Sequence, residues 1–310
     1  RYRLVTRSDM DGLLAAVLLR EMDLIDEIKF VHPKDVQDGK VDLTENDITT
    51  NLPYVENVYL SFDHHSSELI RVGEEEKPNR ILDETAPSTA RVVYDYYGGK
   101  QRFPEISDAM LEAVDKADSA QFTIDEVLNP TGWVLLSFIM DPRTGLGRFK
   151  DFRVSNYTLM MDLIAYCKNH PIEDILQLPD IKERTDLYLS QQEKAKDQIM
   201  RCATVSGDLV VLDLRGEETI YATNRFMVYA LFPQCTVSMH VMWGLKQQNT
   251  VFAVGKSIFN RASVLDIGEL MLQYGGGGHA NAGTCQIDND KAEQVKEELT
   301  STISGASDQA

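Results

Sequence analysis

The feature that most limits the possible folds is a short apolar run that leads directly into metal-binding side chains. The run Val58–Leu60 is followed by Asp63-His64-His65. Imidazole and carboxylate groups are common ligands of Mn²⁺, Zn²⁺ and Fe²⁺, and α/β folds place their sites at the carboxyl ends of parallel strands. The pattern predicts a metal site at the end of a strand, and a solvated turn is the alternative.

A second polar cluster follows another short apolar run near the start of the chain. Asp9-Met10-Asp11-Gly12 stands between the run Leu4–Thr6 and a long apolar stretch, which together read as strand, acidic turn and buried helix. Two carboxylates two positions apart can reach ions about 3.5–4 Å apart, the spacing of two-metal phosphoryl sites. The alternative is an acidic first helical turn that is stabilised by the helix dipole.

A glycine-rich segment in the last quarter of the chain forms the third cluster. Four consecutive glycines end at Gly278 and are followed by His279, Asn281 and a strand-like run over 284–287. A flexible linker would explain the glycines alone. A loop that exposes backbone N–H groups and presents an imidazole is suited to binding an anion such as a phosphate.

The order of apolar patterns predicts an α/β fold with two domains. Strand-like and helical runs alternate over the first 120 or so residues, which favours a parallel sheet with helices on both faces. Residues 1–185 form the predicted first domain and residues 205–310 a smaller α/β domain. The charge-rich stretch 186–204 is interpreted as a solvent-exposed connecting helix.

Charge and composition restrict the partners. The 31 basic and 49 acidic residues give a formal net charge of −18, which disfavours long duplex DNA but allows a small anionic substrate. The four cysteines show no paired spacing and are interpreted as reduced. No run reaches the ~20 apolar residues of a membrane span, and the start at Arg1 shows no signal-peptide pattern, so a cytoplasmic location without membrane contact is expected.

Taken together, the three clusters resemble the DHH phosphoesterase superfamily with its DHH-associated C-terminal domain. Asp9-Met10-Asp11-Gly12 is similar to the first motif, and Asp63-His64-His65 is the motif that names the family. The glycines up to Gly278, with His279 and Asn281, are similar to the substrate loop of the C-terminal domain. The resemblance covers nearly the whole chain and implies a cleft between the two domains, with DHH on one wall and the glycine loop on the other.

The resemblance also implies roles for individual residues. It assigns the metal ligands to Asp9, Asp11, Asp47, Asp63, His64 and Asp118, and places His65 against the substrate phosphate. It assigns substrate binding to Lys256, Gly276, Gly277, Gly278, His279 and Asn281.

Three of these assignments leave alternatives open. Asp47 best matches the second motif, but it could be an ordinary turn or helix-cap residue. Asp118 and Asp115 lie one helical turn apart, so either could be the ligand in the fourth motif. Lys256 could simply end a strand at the surface.

Arg7 is the one departure from the family pattern. The family usually carries a histidine two residues before the first aspartate, whereas this chain has Arg7. A guanidinium stays protonated and cannot ligate a cation, although it can pair with a phosphate oxygen. Arg7 is therefore a candidate catalytic residue that substitutes electrostatically for one metal ion.

The functional prediction is a metal-dependent phosphoesterase that hydrolyses a short nucleotide with a metal-activated hydroxide. The resemblance implies one or two Mn²⁺, Mg²⁺ or Co²⁺ ions per chain. Its substrate would be a short single-stranded oligonucleotide, phosphoadenosine phosphate or a cyclic dinucleotide, and the prediction allows a homodimer. The alternatives are an exopolyphosphatase and a nucleotide-binding regulatory protein whose activity Arg7 has weakened.

Overall fold

The computed structural model describes residues 1–306, which form two compact units. The first unit comprises residues 1–121, 131–142 and 149–185. The second comprises residues 122–130, 143–148 and those from 186 onward. Both units combine strands with helices, so the predicted α/β class is confirmed. The cleft expected between them stays a prediction.

The first unit is built on a parallel sheet of five strands. The strands are β1 (Tyr2–Thr6), β2 (Ile25–Phe30), β3 (Asp47–Thr50), β4 (Leu60–Asp63) and β5 (Arg80–Leu82). Their order across the sheet is β2-β1-β3-β4-β5, and every neighbouring pair is parallel. The carboxyl ends of β1, β3 and β4 are consequently side by side at the middle of one sheet edge.

Residues 1–306 also contain thirteen α-helices. In order they are α1 (Met10–Glu21), α2 (Pro33–Gln37), α3 (Ser67–Val72), α4 (Thr89–Tyr96), α5 (Asp108–Asp118), α6 (Ile124–Leu128), α7 (Gly132–Met140), α8 (Asn156–Tyr166), α9 (Ile172–Ile175), α10 (Pro179–Cys202), α11 (Met227–Leu231), α12 (Ile267–Leu272) and α13 (Ala292–Ala306). Within residues 1–306, no helix is both long enough and apolar enough to cross a membrane.

Helix α1 is the central helix of the first unit. Every residue from Met10 to Leu19 is buried, because the helix is apolar on all sides after its first turn and contacts α4, α5 and α8. It begins directly after β1, where Asp9 Oδ1 accepts a hydrogen bond of 2.8 Å from the backbone N–H of Gly12. The short connection fixes the first acidic motif at the carboxyl edge of the sheet.

The second unit is built on a mixed sheet of six strands. The strands are β6 (Ala203–Ser206), β7 (Leu209–Asp213), β8 (Val237–Trp243), β9 (Thr250–Lys256), β10 (Gly277–His279) and β11 (Ala282–Ile287). The order is β10-β11-β9-β8-β7-β6, and only β7 and β8 are parallel. Apolar residues of one sheet face form a core with α12 and α13, including Met239, Phe252, Met271 and Leu299.

Helix α10 differs from the solvent-exposed helix that its charges predicted. Arg184 and Tyr188 are almost fully buried on one of its faces, and so is Gln192. These polar groups are buried because they have partners: Arg184 donates to the carbonyl of Val154, and Gln192 donates to the carbonyl of Ala222. A charge-rich sequence can form a buried helix face when its long polar side chains are paired in this way.

Candidate active site

The first acidic motif forms a tight turn between β1 and α1. A Cβ atom on Gly12 would lie 2.1 Å from the carbonyl oxygen of Arg7, a distance that no larger residue could accept. Gly12 is therefore needed for this close approach of two backbone segments. The turn places Asp9 at the start of α1 and buries Asp11 in its first turn.

Asp11 is buried against the amino terminus of a second helix. Its two carboxylate oxygens accept hydrogen bonds from the backbone N–H groups of Thr89 (3.2 Å) and Ala90 (2.7 Å) in α4. Burial, with the negative charges of Asp118 and Asp9, raises the pKa of Asp11 well above its usual value, although the Ala90 N–H opposes the rise. A nearby cation would therefore stabilise the carboxylate strongly.

His64 connects the end of β4 to the same cluster. Its Nδ1 lies 3.0 Å from the carbonyl oxygen of Ala86, and its Nε2 lies 2.7 Å from Oδ2 of Asp118. Because a carbonyl can only accept, Nδ1 carries a proton and Nε2 is the nitrogen that faces the carboxylates. Burial lowers the pKa of His64, but the hydrogen bond and charge of Asp118 and the charge of Asp11 raise it more, to about 9.

These three side chains form a group that fits a divalent metal ion. One ligand atom from each of Asp11, His64 and Asp118 lies within 4.8 Å of the others. When His64 is neutral, its Nε2 lone pair faces carboxylate oxygens, and only a proton or a metal cation between them relieves that repulsion. The Ala86 carbonyl also orients the imidazole by accepting a hydrogen bond from Nδ1. Metal-bound histidines are commonly held in this way through the ring nitrogen that does not contact the metal. Two carboxylates and one imidazole suit Mn²⁺ and similar ions.

The structure separates Asp118 from its neighbour one turn earlier on α5. Asp118 lies beside His64, whereas Asp115 accepts hydrogen bonds from Ser88 Oγ (2.8 Å) and from Arg91 Nη2 (2.6 Å). The two aspartates therefore belong to different clusters. Of the two, Asp118 is in position to be a ligand, and Asp115 anchors the start of α4 to α5.

Asp63 and His65 form a pair next to this group. Asp63 Oδ1 lies 2.6 Å from His65 Nδ1, and it also accepts a 2.7 Å hydrogen bond from the backbone N–H of His64. Asp63 is buried, whereas the His65 side chain is 45% exposed. The carboxylate thus holds the proton on Nδ1 and leaves Nε2 of His65 for another partner.

Arg7 lies beside the first acidic motif. Its Nε is 3.6 Å from Asp9 Oδ2, and both side chains are partly exposed. The positive charge of Arg7 therefore lies next to Asp9, the carboxylate that was predicted to help ligate a second ion. This contact is compatible with the predicted electrostatic role of Arg7.

Asp47 is not brought to this group, so the structure contradicts its predicted place among the ligands. It begins β3 and is level with Arg3 of β1, at the amino end of the sheet. There it accepts hydrogen bonds from Arg3 Nε (2.7 Å) and from the backbone N–H of Thr44 (2.8 Å). The physical reason is direction, because a parallel strand carries its first and last residues to opposite edges of the sheet.

The carboxyl end of the same strand carries a residue that sequence reasoning missed. Asn51 follows β3 directly, and its backbone N–H donates to the carbonyl of Phe62 in β4 (3.0 Å). It is buried, with 3% of its surface exposed. Its signal in the sequence was weak, because the polar residues of β3 did not read as a buried strand. The support of Asp11 by α4 was also missed, although Ser88 before Thr89 is a recognisable helix-cap signal.

The glycine-rich segment of the second unit is an ordered strand and not a flexible linker. Gly277 to His279 pair with β11, and a Cβ atom on Gly276 would lie 2.1 Å from the carbonyl oxygen of Thr284. The strand also contacts α12, where a Cβ atom on Gly268 would lie 2.8 Å from the carbonyl of Gly278. The glycines permit close backbone packing on both sides.

The remaining predicted substrate residues lie near this strand. The backbone N–H of Lys256, the last residue of β9, donates to the carbonyl of Asn281 (2.9 Å). The backbone N–H of Asn281 is in turn 3.4 Å from Nδ1 of His279. Lys256, His279 and Asn281 therefore form one exposed or partly exposed cluster within the second unit, and their role in substrate binding stays a prediction.

Comparison with known proteins identifies the family. The chain is 58% identical to PggH, a pGpG-specific phosphodiesterase from Vibrio cholerae. The structural match covers 99% of this chain and 100% of the PggH chain, with a TM-score of 0.89. The chain belongs to the DHH phosphoesterase superfamily. This DHH protein is accordingly a hydrolase, as its motifs predicted.

Two solved structures of much lower sequence identity share the fold of this DHH protein. RecJ from Thermus thermophilus, solved with Mn²⁺, is 15% identical to this chain. The structural match has a TM-score of 0.54 and covers 97% of this chain and 52% of the RecJ chain. CDC45 from Entamoeba histolytica is 8% identical with a TM-score of 0.51, covering 98% and 95%. No family model matches the chain.

One curated relative was found by sequence. The A-adding tRNA nucleotidyltransferase of Aquifex aeolicus is 24% identical to the DHH protein over 222 residues, which cover 66% of this chain. The match spans 24% of the relative, so the chain corresponds to about a quarter of that protein's length.

Proposed function

We propose that this chain is a metal-dependent phosphodiesterase that hydrolyses the linear dinucleotide pGpG. The observation that carries the proposal is the 58% identity to PggH over 99% of this chain and all of that one. The group formed by Asp11, His64 and Asp118 supports it, because it provides the donor set that such a reaction requires. The net charge of −18 also favours a small anionic substrate over a long polyanion.

In this proposal Asp11, His64 and Asp118 hold the catalytic ion, which we take to be Mn²⁺, with Mg²⁺ or Co²⁺ as substitutes. When bound, a divalent ion neutralises phosphate charge and lowers the pKa of a bound water. The carbonyl of Ala86 holds His64 in the tautomer that presents Nε2. The N–H groups of Thr89 and Ala90 hold the carboxylate of Asp11 in place.

The reaction breaks the single phosphodiester bond that joins the two nucleotides. The oxygen of a water molecule forms a bond to phosphorus, and the bond from phosphorus to O3′ breaks. A proton must reach O3′ of the leaving nucleotide, and the products are two molecules of GMP. We assign the contact with the phosphate, and delivery of that proton, to His65, whose ring is oriented by Asp63 through Nδ1.

The cluster of Lys256, His279 and Asn281 is proposed to bind the terminal 5′-phosphate of pGpG. A lysine ammonium and the N–H groups of a glycine-lined strand are suited to a phosphate dianion. The terminal phosphate exists in a linear dinucleotide but not in a cyclic one. Binding at this cluster would therefore favour pGpG over a cyclic dinucleotide.

A turnover assay with the full chain tests the proposal. The protein is incubated with MnCl₂ and pGpG, cyclic di-GMP, a longer single-stranded RNA, phosphoadenosine phosphate or polyphosphate, and the products are separated by chromatography. We expect pGpG to be cleaved fastest, GMP to be the only product, and EDTA to stop the reaction. Faster release of phosphate from polyphosphate would replace the proposal with an exopolyphosphatase. Tight binding of pGpG without turnover would favour a nucleotide-binding regulator.

A further inference from the structure

Asn51 occupies the middle position at the carboxyl edge of the parallel sheet. Strand β3 lies between β1 and β4, with Val5 of β1 opposite Thr49 and Phe62 of β4 opposite Thr50. Continuing this register places Asn51 between Arg7 and Asp63. Neighbouring strands are about 4.8 Å apart, so the backbone of Asn51 is about one strand spacing from Arg7, which precedes the first acidic motif, and from Asp63, which precedes His64.

The side chain of Asn51 is buried without any hydrogen-bond partner. Only 3% of the residue is exposed, and neither Oδ1 nor Nδ2 has a partner among residues 1–306. Buried polar groups are normally paired, because an unpaired one loses its bonds to water and gains none in return. An amide with both ends unpaired needs two different partners, one that accepts from Nδ2 and one that is a donor or cation for Oδ1.

The backbone at this position does not explain the amide. Asn51 has a φ of +57°, in the left-handed region that glycine and asparagine tolerate best. Glycine would satisfy the backbone equally well and would leave no polar group unpaired. The orphaned carboxamide therefore indicates a ligand that is supplied from outside the chain.

We propose that Oδ1 of Asn51 is a neutral ligand of the ion held by Asp11, His64 and Asp118, and that Nδ2 donates to the substrate phosphate. The inference rests on the proposed function for the identity of the ion and the substrate. A cation satisfies the amide oxygen and a phosphate oxygen satisfies the amide nitrogen, so both orphaned atoms gain partners at once. The amide adds no negative charge beside Asp9, Asp11, Asp63 and Asp118. One divalent ion together with Arg7 then offsets most of the charge of those four carboxylates.

Two substitutions at this position separate the two roles. Asn51→Gly keeps the backbone conformation and removes both amide atoms, so we expect Mn²⁺ affinity to fall about 10- to 100-fold. Asn51→Asp keeps an oxygen ligand and removes the N–H donor, so Mn²⁺ should bind at least as tightly while the KM for pGpG rises. Thr49→Val is the matched control, since Thr49 Oγ1 is another buried unpaired side-chain atom on the same strand. Its Mn²⁺ affinity should equal that of the natural protein.

Calorimetric titration of the metal-free proteins with MnCl₂ provides the decisive measurement, and thermal unfolding in EDTA and in Mn²⁺ provides a second. Asn51→Gly should unfold in EDTA like the natural protein but gain less stability from Mn²⁺. Unchanged Mn²⁺ affinity in Asn51→Gly overturns the inference and leaves the proposed function intact. If the natural protein binds Mn²⁺ but releases no GMP from pGpG, the proposed function fails, while the titration still decides whether Asn51 is a ligand.

Discussion

At the residue scale, the two aspartates near the end of α5 offer a matched pair of substitutions. Asp118→Asn should lower Mn²⁺ affinity and pGpG turnover at least about 10-fold, because Asp118 lies against His64 in the proposed metal group. Asp115→Asn should leave Mn²⁺ affinity near that of the natural protein. It should instead lower the free energy of unfolding by about 1–3 kcal/mol, since it weakens the bonds to Ser88 and Arg91.

Calorimetry and chemical denaturation of the two variants measure these separate effects. The exchange of aspartate for asparagine is the same in both, so a difference between them reflects position alone. Equal losses of Mn²⁺ affinity would show that the two clusters are not independent and that the assignment of Asp118 is incorrect.

Arg7 gives a second prediction at this scale, because its side chain stands where the family usually has a histidine. Its guanidinium lies 3.6 Å from Asp9 and should exclude a second cation by charge repulsion. The natural protein should therefore bind about one Mn²⁺ per chain, and Arg7→His about two. Titration calorimetry gives both stoichiometries, with Arg7→Lys as the control that keeps the charge. Two tightly bound ions in the natural protein, with no change in Arg7→His, would place Arg7 outside the site.

At the element scale, the contact between α12 and β10 controls the shape of the glycine-rich strand. A Cβ atom on Gly268 would lie 2.8 Å from the backbone of Gly278, so Gly268→Ala must push the helix and strand apart. Alanine normally favours a helix, but overpacking here should cost about 1–3 kcal/mol of stability. It should also raise the KM for pGpG and leave Mn²⁺ affinity unchanged.

Steady-state kinetics and metal titration on Gly268→Ala provide the measurement. Gly216→Ala is a suitable control, because a Cβ atom there meets no other atom within 4 Å. An unchanged KM for pGpG in Gly268→Ala would mean that the glycine-rich strand does not take part in substrate binding.

The elements also show why the sequence predicted most of the fold and only part of the site. Apolar runs such as the one before Asp9 and the one before Asp63 were correctly read as strands, because their burial is visible in their composition. Strand β3 was missed, since Asp47–Thr50 is polar and its buried threonines are supported by tertiary contacts such as the Thr50–Thr6 hydrogen bond. Without β3, nothing in the sequence showed that Asp47 and Asn51 lie at opposite sheet edges.

At the scale of the whole molecule, the second unit contains a histidine that should make stability depend on pH. Burial lowers the pKa of His240 in β8 from 6.5 to about 4. Between these values the unfolded chain binds a proton that the folded chain does not. Stability should therefore fall by roughly 2 kcal/mol as the pH drops from 6.5 to 4.

Denaturation curves at several pH values measure this effect, and His240→Gln should be less sensitive to pH over the same interval. A Trp133→Phe background leaves Trp243 as the tryptophan reporter, and Trp243 lies at the end of β8 in the second unit. A chain with two compact units need not unfold in a single step. Trp243 fluorescence therefore reports on the second unit, which contains His240, more directly than a signal averaged over the whole chain. The same pH dependence with and without His240 would contradict the prediction.

The distances that separate the proposed ligands along the chain matter for how a newly synthesised molecule matures. Asp11, His64 and Asp118 meet only after the strands and helices that carry them have assembled. Until an ion arrives, the proton held by His64 beside Asp118 takes the place of the missing cation. Under the proposed function, binding of a divalent ion therefore releases a proton from the site, and the metal-free protein is already folded around the place that the ion takes.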